Sequence, residues 1–498
     1  MARDDTLLSR QGLGFMTDYE RQVFILNRLG FGAGAVDRKA LMKGSWVELR
    51  EALLAEPTEP DVFSPFPFLK QDTGEPAVRF ANLRDWWISE MVCSQNVLRE
   101  RMVIFWHDHF AVDIRSTSPQ IQMLQYLSAL RKDPLGSFEE ILKRLTRDPA
   151  FMKFLNIQDL TKKKPNENFG RELMELYTLG IGNYSEDDIK GASRALTGWG
   201  MFDNWRRSKL PEMERLRMVA EENYEWTGFI FRPDQHDNEN KTILGQTRKW
   251  GGSELLDFLA QHPQTARYIT GKLFFHFVGR QPTESENNIL AKEFQRSGTQ
   301  IRPVIRKMTE LPGFWEHGSE GMKTPAEFVV GINRSAGLGD FIRKEVGLSK
   351  DWKALPAKRT RAATRGMASQ MNRMGMDLLA PFDVSGFPKG SEWINTSNSV
   401  VRRSVRPQLL DDRRDNRSYP GPGYLTTAES LMLKLKDGKE PFIEEFCVRY
   451  GAEINGSAYQ ALVSQNFTLK PNSNINQVCR WLDRAWGALC ASPDFQMR

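Results

Sequence analysis

Apolar residues recur along most of the chain at three- and four-residue spacing, the period of an amphipathic helix. Leu98, Met102, Phe105 and His109 fall on one stripe at i, i+4, i+7 and i+11, and Val103, Trp106 and Phe110 line the next. A helix apolar around this much of its circumference belongs in a core. The most fully punctuated stretch is 165–200. Asn166 stands where an N-cap is needed, and Gly180 and Gly182 offer an exit. In the first helix Phe169, Leu173 and Leu176 form the apolar stripe, with Asn168, Glu172 and Glu175 on the neighbouring face. The second opens on Ser185-Glu-Asp-Asp188, a capping-box pattern, and closes at Gly198 or Gly200.

Similar patterns predict helices over 18–56, two between 79 and 110, two over 117–155, and more at 253–278 and 284–308. A Pro-rich connection at 57–76 reads as extended surface chain, and 203–225 as a charged insertion. Short runs at 226–231 and 242–245 read as two strands flanking a polar loop. The expected fold is therefore mainly α: a large multi-helix core with a minor β-hairpin and a helical C-terminal region. The expected organisation is an N-terminal arm at 1–17, a core at 18–340, an irregular basic segment at 341–426 with one helix near 362–375, and helices at 427–498 packing on the core.

Composition narrows the class. Hydrophobic residues make up 40% of the 498, enough for a large core, and no apolar run reaches the ~20 residues of a spanning helix. That argues against membrane insertion. The formal net charge of +6 is modest for this length, and the basic runs (162–164, 206–207, 358–365, 402–406) lack aromatic interleaving. They read as solvated surface and argue against nucleic acid, with 358–365 and 402–406 the best candidate for another polyanion. Cys93, Cys447, Cys479 and Cys490 form no CxxC pair and read as buried thiols, although Cys479 and Cys490 would meet if their helix folded back. The N-terminus lacks an apolar secretory core, so the expected compartment is the cytoplasm, or outside it if a leader has been removed.

Six histidines are few for such a chain, and His107, His109 and His236 each lie beside Asp108 or Asp237. Imidazole with carboxylate is a ligand mixture that suits divalent metals. His109, Glu172, Glu175, His236 and Asp237 form the expected centre, with His107 a further candidate ligand. Arg171 and Asn168 would orient the carboxylates. On a continuous helix His107 and His109 point about 200° apart, which favours His109. The chemistry read from this set is a metal-assisted enzyme, by hydrolysis or oxidation. Two other readings use the same residues: metal-free acid–base catalysis by a hydrolase or lyase, and a scaffold whose polar motifs hold helices in register.

Several segments also resemble, in order, the DUF1800 family. They are Leu26-Asn-Arg-Leu-Gly-Phe-Gly-Ala33, Trp106-His-Asp-His-Phe110, the 165–200 stretch, and His236-Asp237 with Lys241-Thr-Ile-Leu-Gly245. Ala380-Pro-Phe-Asp-Val-Ser-Gly386, Trp393-Ile-Asn395 and Ala491-Ser-Pro-Asp-Phe-Gln496 complete the set. The resemblance covers nearly the whole chain and implies no assigned activity. It does imply a protein partner, because such proteins often occur beside members of another family, DUF1501.

Overall fold

The computed structural model describes residues 16–32, 44–56, 80–116, 121–203, 209–211, 214–215, 227–316, 321–345, 358–408, 422–450, 452, 456–465 and 467–497. The expectations for 57–76, for the arm before Met16, for Arg206 and Arg207, and for most of 203–225 lie outside them.

The chain is mainly α-helical. α1 (Asp18–Leu29) and α2 (Trp46–Leu54) start on capping boxes, Thr17 with Glu20 and Ser45 with Glu48. α3 (Phe80–Cys93) and α4 (Val97–His109) follow as a pair. The stretch expected to hold two helices holds three: α5 (Ile121–Arg131), α6 (Phe138–Thr146) and α7 (Pro149–Phe154). Asp148 accepts from Ala150 N–H ahead of Pro149 and so starts a separate helix there. α8 (Glu167–Glu172) is capped by Asn166, and α9 (Glu186–Ala195) by the Ser185–Asp188 box, both as the sequence predicts.

The β-structure differs from the single hairpin expected. β1 (Trp199–Asp203) pairs antiparallel with β2 (Thr227–Phe231), and β3 (Lys241–Ile243) with β4 (Gln246–Arg248). The two predicted strands thus belong to separate two-stranded sheets.

Two long predicted helices are each broken in two. α10 (Gly252–Gln261) stops where His262 and Pro263 start α11 (Pro263–Val278), because Pro263 has no N–H to continue the ladder. α12 (Glu284–Arg296) and α13 (Ile301–Thr309) are separated by Gly298 and Thr299, both at positive φ. α14 (Pro325–Ser335), α15 (Leu338–Glu345) and α16 (Lys358–Arg373) all pack on α3. α17 (Thr396–Ser404), α18 (Pro422–Leu435), α19 (Lys439–Tyr450), α20 (Ser457–Ser464), α21 (Ile475–Ala491) and α22 (Pro493–Gln496) complete the chain. One apolar cluster runs from Ile25 to Phe495, and α19 packs on both α1 and α14.

Two details change the surface reading. Arg402, assigned above to a basic surface patch, is buried. Its guanidinium donates to the Lys323 carbonyl (2.8 Å) and lies over Phe328, and desolvation pushes its pKa down to about 10. Cys479 and Cys490 sit on one continuous helix, α21, eleven positions and so roughly 16 Å apart, and they do not meet. All four cysteines are buried, and none of them forms a disulfide. No helix among the described residues is long and apolar enough to cross a membrane.

Candidate functional site: a lysine–histidine cavity

α4 ends at His109, so its last three side chains leave the core helix in three directions. His107 turns toward the segment after α16, where its Nε2–H donates to the Leu378 carbonyl (2.9 Å) while Tyr126 lies across its Nδ1 (3.4 Å). Asp108 accepts the Phe387 N–H on Oδ1 (2.8 Å) and pairs through Oδ2 with Lys389. His109 Nε2 lies 3.2 Å from the Tyr177 carbonyl, and its Nδ1 lies 2.8 Å from Lys272 Nζ. A carbonyl only accepts, so Nε2 carries the proton and the Nδ1 lone pair receives the Lys272 N–H.

Burial pushes the His107 pKa down to about 4 and the His109 pKa well below its ordinary 6.5. The unfolded chain therefore takes up protons below pH 6.5 that the folded one refuses. Stability is expected to fall progressively as pH drops from 6.5 toward 4, with His107→Gln and His109→Gln variants losing part of that slope in denaturant titrations.

The Tyr177 carbonyl is available because of how the signature helix ends. Beyond Glu172 the backbone widens into a π-helix, Leu173–Thr178, and Leu179 N–H reaches back to Met174 O (2.7 Å). π-turns recur at functional sites. Here the last carbonyls are satisfied from other elements: Leu176 O by Tyr268 Oη (3.1 Å), Tyr177 O by His109, and Leu179 O by Gln264 (3.1 Å). The segment 380–389 closes the other side. Gly386 has φ +100, and a Cβ there would run into the Asp108 carbonyl oxygen and Oδ1. Gly386→Ala is expected to cost about 2 kcal/mol or more and to displace Phe387 and Lys389 from Asp108, a loss readable by denaturant titration.

Between these walls and α11 lies a cavity of about 600 Å³, with Asp108, His109, Tyr268, Lys272, Lys389 and Trp393 on its surface. Lys272 is half-buried. Among the described residues its one hydrogen-bond partner is His109 and no carboxylate lies within ion-pair distance, an unusual state for a lysine drawn into a protein interior. Desolvation, reinforced by the Lys389 charge and opposed by Asp108, pushes its pKa down to about 7. Two more donors belong to residues that line the same space. Trp393 is buried with its indole N–H unpartnered, and Asn287 has given its Oδ1 to Thr270 (2.8 Å), leaving its amide N–H groups.

Of the residues expected at the centre, His109 lies in this cavity. Glu172 lies half-buried on α8, its Oε1 receiving Asn168 Nδ2–H (2.8 Å) and its Oε2 buried without a partner. Burial raises its pKa, and Glu175 adds to the shift against the Asn168 bond. Glu175 receives the Tyr184 hydroxyl, and Arg171 forms an exposed bidentate pair with Glu186 (2.8 and 2.7 Å). His236 is tied through Nδ1–H to the Thr197 carbonyl (2.8 Å). Asp237 receives Arg194 Nε (2.7 Å) and lies 4.0 Å from Lys241. These bonds pin the 232–241 loop to the end of α9, and none of them reaches His109. Among the described residues no three His, Cys, Asp or Glu side chains are grouped to hold a metal.

The sequence gives no motif to Lys272 or Lys389, and Trp393 enters it only as part of a family-like segment. The signal for Lys272 was present: it shares the Tyr268–Lys272–Phe275 stripe, at i, i+4 and i+7, of a helix that is otherwise apolar there.

Fold and cavity together define a mainly α-helical protein that holds a lysine–histidine pair at the end of a buried helix. The chain belongs to the DUF1800 family, described as a protein of unknown function, whose family model matches residues 24–497. Neither a curated protein nor a solved structure shows a significant match to the chain.

Proposed function

We propose that the cavity is a catalytic site for acid–base chemistry on a small anionic substrate, carried by the side chains themselves. The observation that carries this reading is Lys272, held 2.8 Å from His109 Nδ1 and, among the described residues, in no ion pair, on the surface of a cavity of about 600 Å³. An amine that titrates near neutrality accepts a proton in one step and returns it in the next. His109 positions it, with its own tautomer fixed by the Tyr177 carbonyl. Lys389, Trp393 and Asn287 supply donors for the anion, and Asp108 anchors Lys389. The three segments that meet here are Trp106–Phe110, the 165–200 stretch and 380–389; the first two carry the family resemblance, and so does the part of the third up to Gly386.

Calorimetric titration with a panel of small carboxylates and phosphate tests the reading. Binding to the parent, lost or weakened roughly 100-fold in a folded Lys272→Met variant, is the expected result. Equal binding by both proteins would overturn it.

A metal-assisted reading rests on a separate observation, the buried and unpartnered Oε2 of Glu172. Elemental analysis of parent and Glu172→Gln protein decides it. Near-stoichiometric metal in the parent alone would support it, and no metal after incubation with Zn, Mn, Fe or Cu salts would remove it.

A further inference from the structure

We infer that Lys272 forms a covalent imine with the carbonyl carbon of a small oxo acid bound in the cavity. The inference rests on the reading of the cavity as an anion-binding acid–base site and adds a nucleophilic role to its central residue.

The placement of the groups carries it. Lys272 Nζ makes a single hydrogen bond, donated to His109 Nδ1, and among the described residues no carboxylate pairs with it to favour its protonated form. A desolvated lysine near a second cation is the arrangement in which an amine acts as a nucleophile, and Lys389 is that second cation. Trp393 and Asn287 both line the cavity; the Trp393 N–H, itself buried, and the Asn287 amide have no acceptor among the described residues and suit the carboxylate of the incoming acid. A general base needs only a proton within reach. The donors arranged around a nucleophilic amine favour a ligand with both an electrophilic carbon and an anionic group.

The step balances without an external oxidant or reductant. Nζ attacks the carbonyl carbon, a C–N bond forms, and the C=O π pair moves to oxygen, which takes a proton. The proton released by nitrogen passes to His109 Nδ1, the atom already 2.8 Å away. The first N–H proton reaches the oxygen by that route and gives the carbinolamine; the second follows it through His109 to the hydroxyl, which leaves as water while the nitrogen lone pair closes the C=N bond. Amine plus carbonyl gives imine plus water. Once protonated, the imine accepts the electron pair of a bond adjacent to its carbon, the class of step a lyase performs.

The full-length protein is incubated with pyruvate, 2-oxoglutarate or acetoacetate and sodium cyanoborohydride, then digested and mapped by mass spectrometry. Hydride reduces the C=N bond, so the lysine gains the mass of the oxo acid less one oxygen. The expected result is an adduct at Lys272 in roughly tenfold excess over any other lysine, absent from Lys272→Arg protein. The arginine variant keeps the charge and lacks the nucleophile, so retained anion binding by that variant shows that its cavity is intact. Oxo-acid binding with no adduct at Lys272 overturns the imine and leaves the acid–base reading standing. Failure of the parent to bind any of the anions overturns both.

Discussion

The Lys272→Met protein is expected to be more stable than its parent by about 1 kcal/mol while losing affinity for small anions. The two effects have one cause. Desolvation withdraws hydration from the Lys272 amine and no carboxylate replaces it, so the folded state carries a penalty that a methionine of similar length removes. A lysine kept for structure would behave the other way, because deleting one half of a buried pair destabilises. The pH dependence is a second signature. The folded pKa of about 7 lies below the ordinary 10.5, so between those values the unfolded chain holds the extra proton. Stability contributed by this residue therefore rises with pH from about 7 to 10.5, and the slope is absent from Lys272→Met. Denaturant titrations across that range read both effects. A variant that melts lower and keeps anion binding would mark Lys272 as a structural residue.

Arg131→Met is expected to be the most destabilising single change among the charged residues beneath α4. Arg131 donates two hydrogen bonds to Glu100, at 2.8 and 2.7 Å, and lies 3.5 Å from Glu90; both carboxylates are fully buried. Its guanidinium also lies over Trp86 at 5.3 Å. Methionine refills much of the volume and leaves the buried Glu100 carboxylate without its cation, beside the equally buried Glu90. Breaking such a cluster costs about 3–5 kcal/mol, whereas an exposed pair such as Arg171–Glu186 is worth under about 1 kcal/mol. Arg171→Met therefore serves as the matched control in the same chemical denaturation. Near-equal midpoints for the two variants would show that the α3–α4–α5 junction is not held by this cluster.

The local signals were legible in the sequence. Asn166 and Ser185 cap the helices they were placed to cap, because capping is a contact between near neighbours. Pro263 was equally local and was overlooked inside a long apolar period, so α10 and α11 were read as one helix. The pairing of β1 with β2 joins segments separated by a long intervening stretch, and nothing at either strand announces the other.

The site was legible in part. The apolar stripe of α4 singled out His109 over His107, and the structure places His109 on the cavity. Histidine beside carboxylate was the cue at both 107–109 and 236–237, yet partners supplied by tertiary structure separate the two places. Asp237 is matched to Arg194, and Asp108 to Lys389. Glu172 and Glu175 share a helix face as the spacing requires, but the hydroxyl that meets Glu175 comes from Tyr184, beyond the π-turn. That turn is invisible to a 3.6-residue period, since it arises where side chains of α4 and α11 satisfy the carbonyls of the signature helix. Lys272 stands on the apolar stripe of α11, a signal the sequence does carry; the neighbours that set its state come from tertiary structure and leave no mark there.

The most direct test of the account is the titration of Lys272 itself. Competitive labelling with trace acetic anhydride between pH 5 and 11, followed by peptide mapping, gives the reactivity of each lysine against pH. The account predicts a Lys272 midpoint near 7, moving upward in Lys389→Met as the neighbouring positive charge is removed. A midpoint near 10.5, unchanged in that variant, would contradict it.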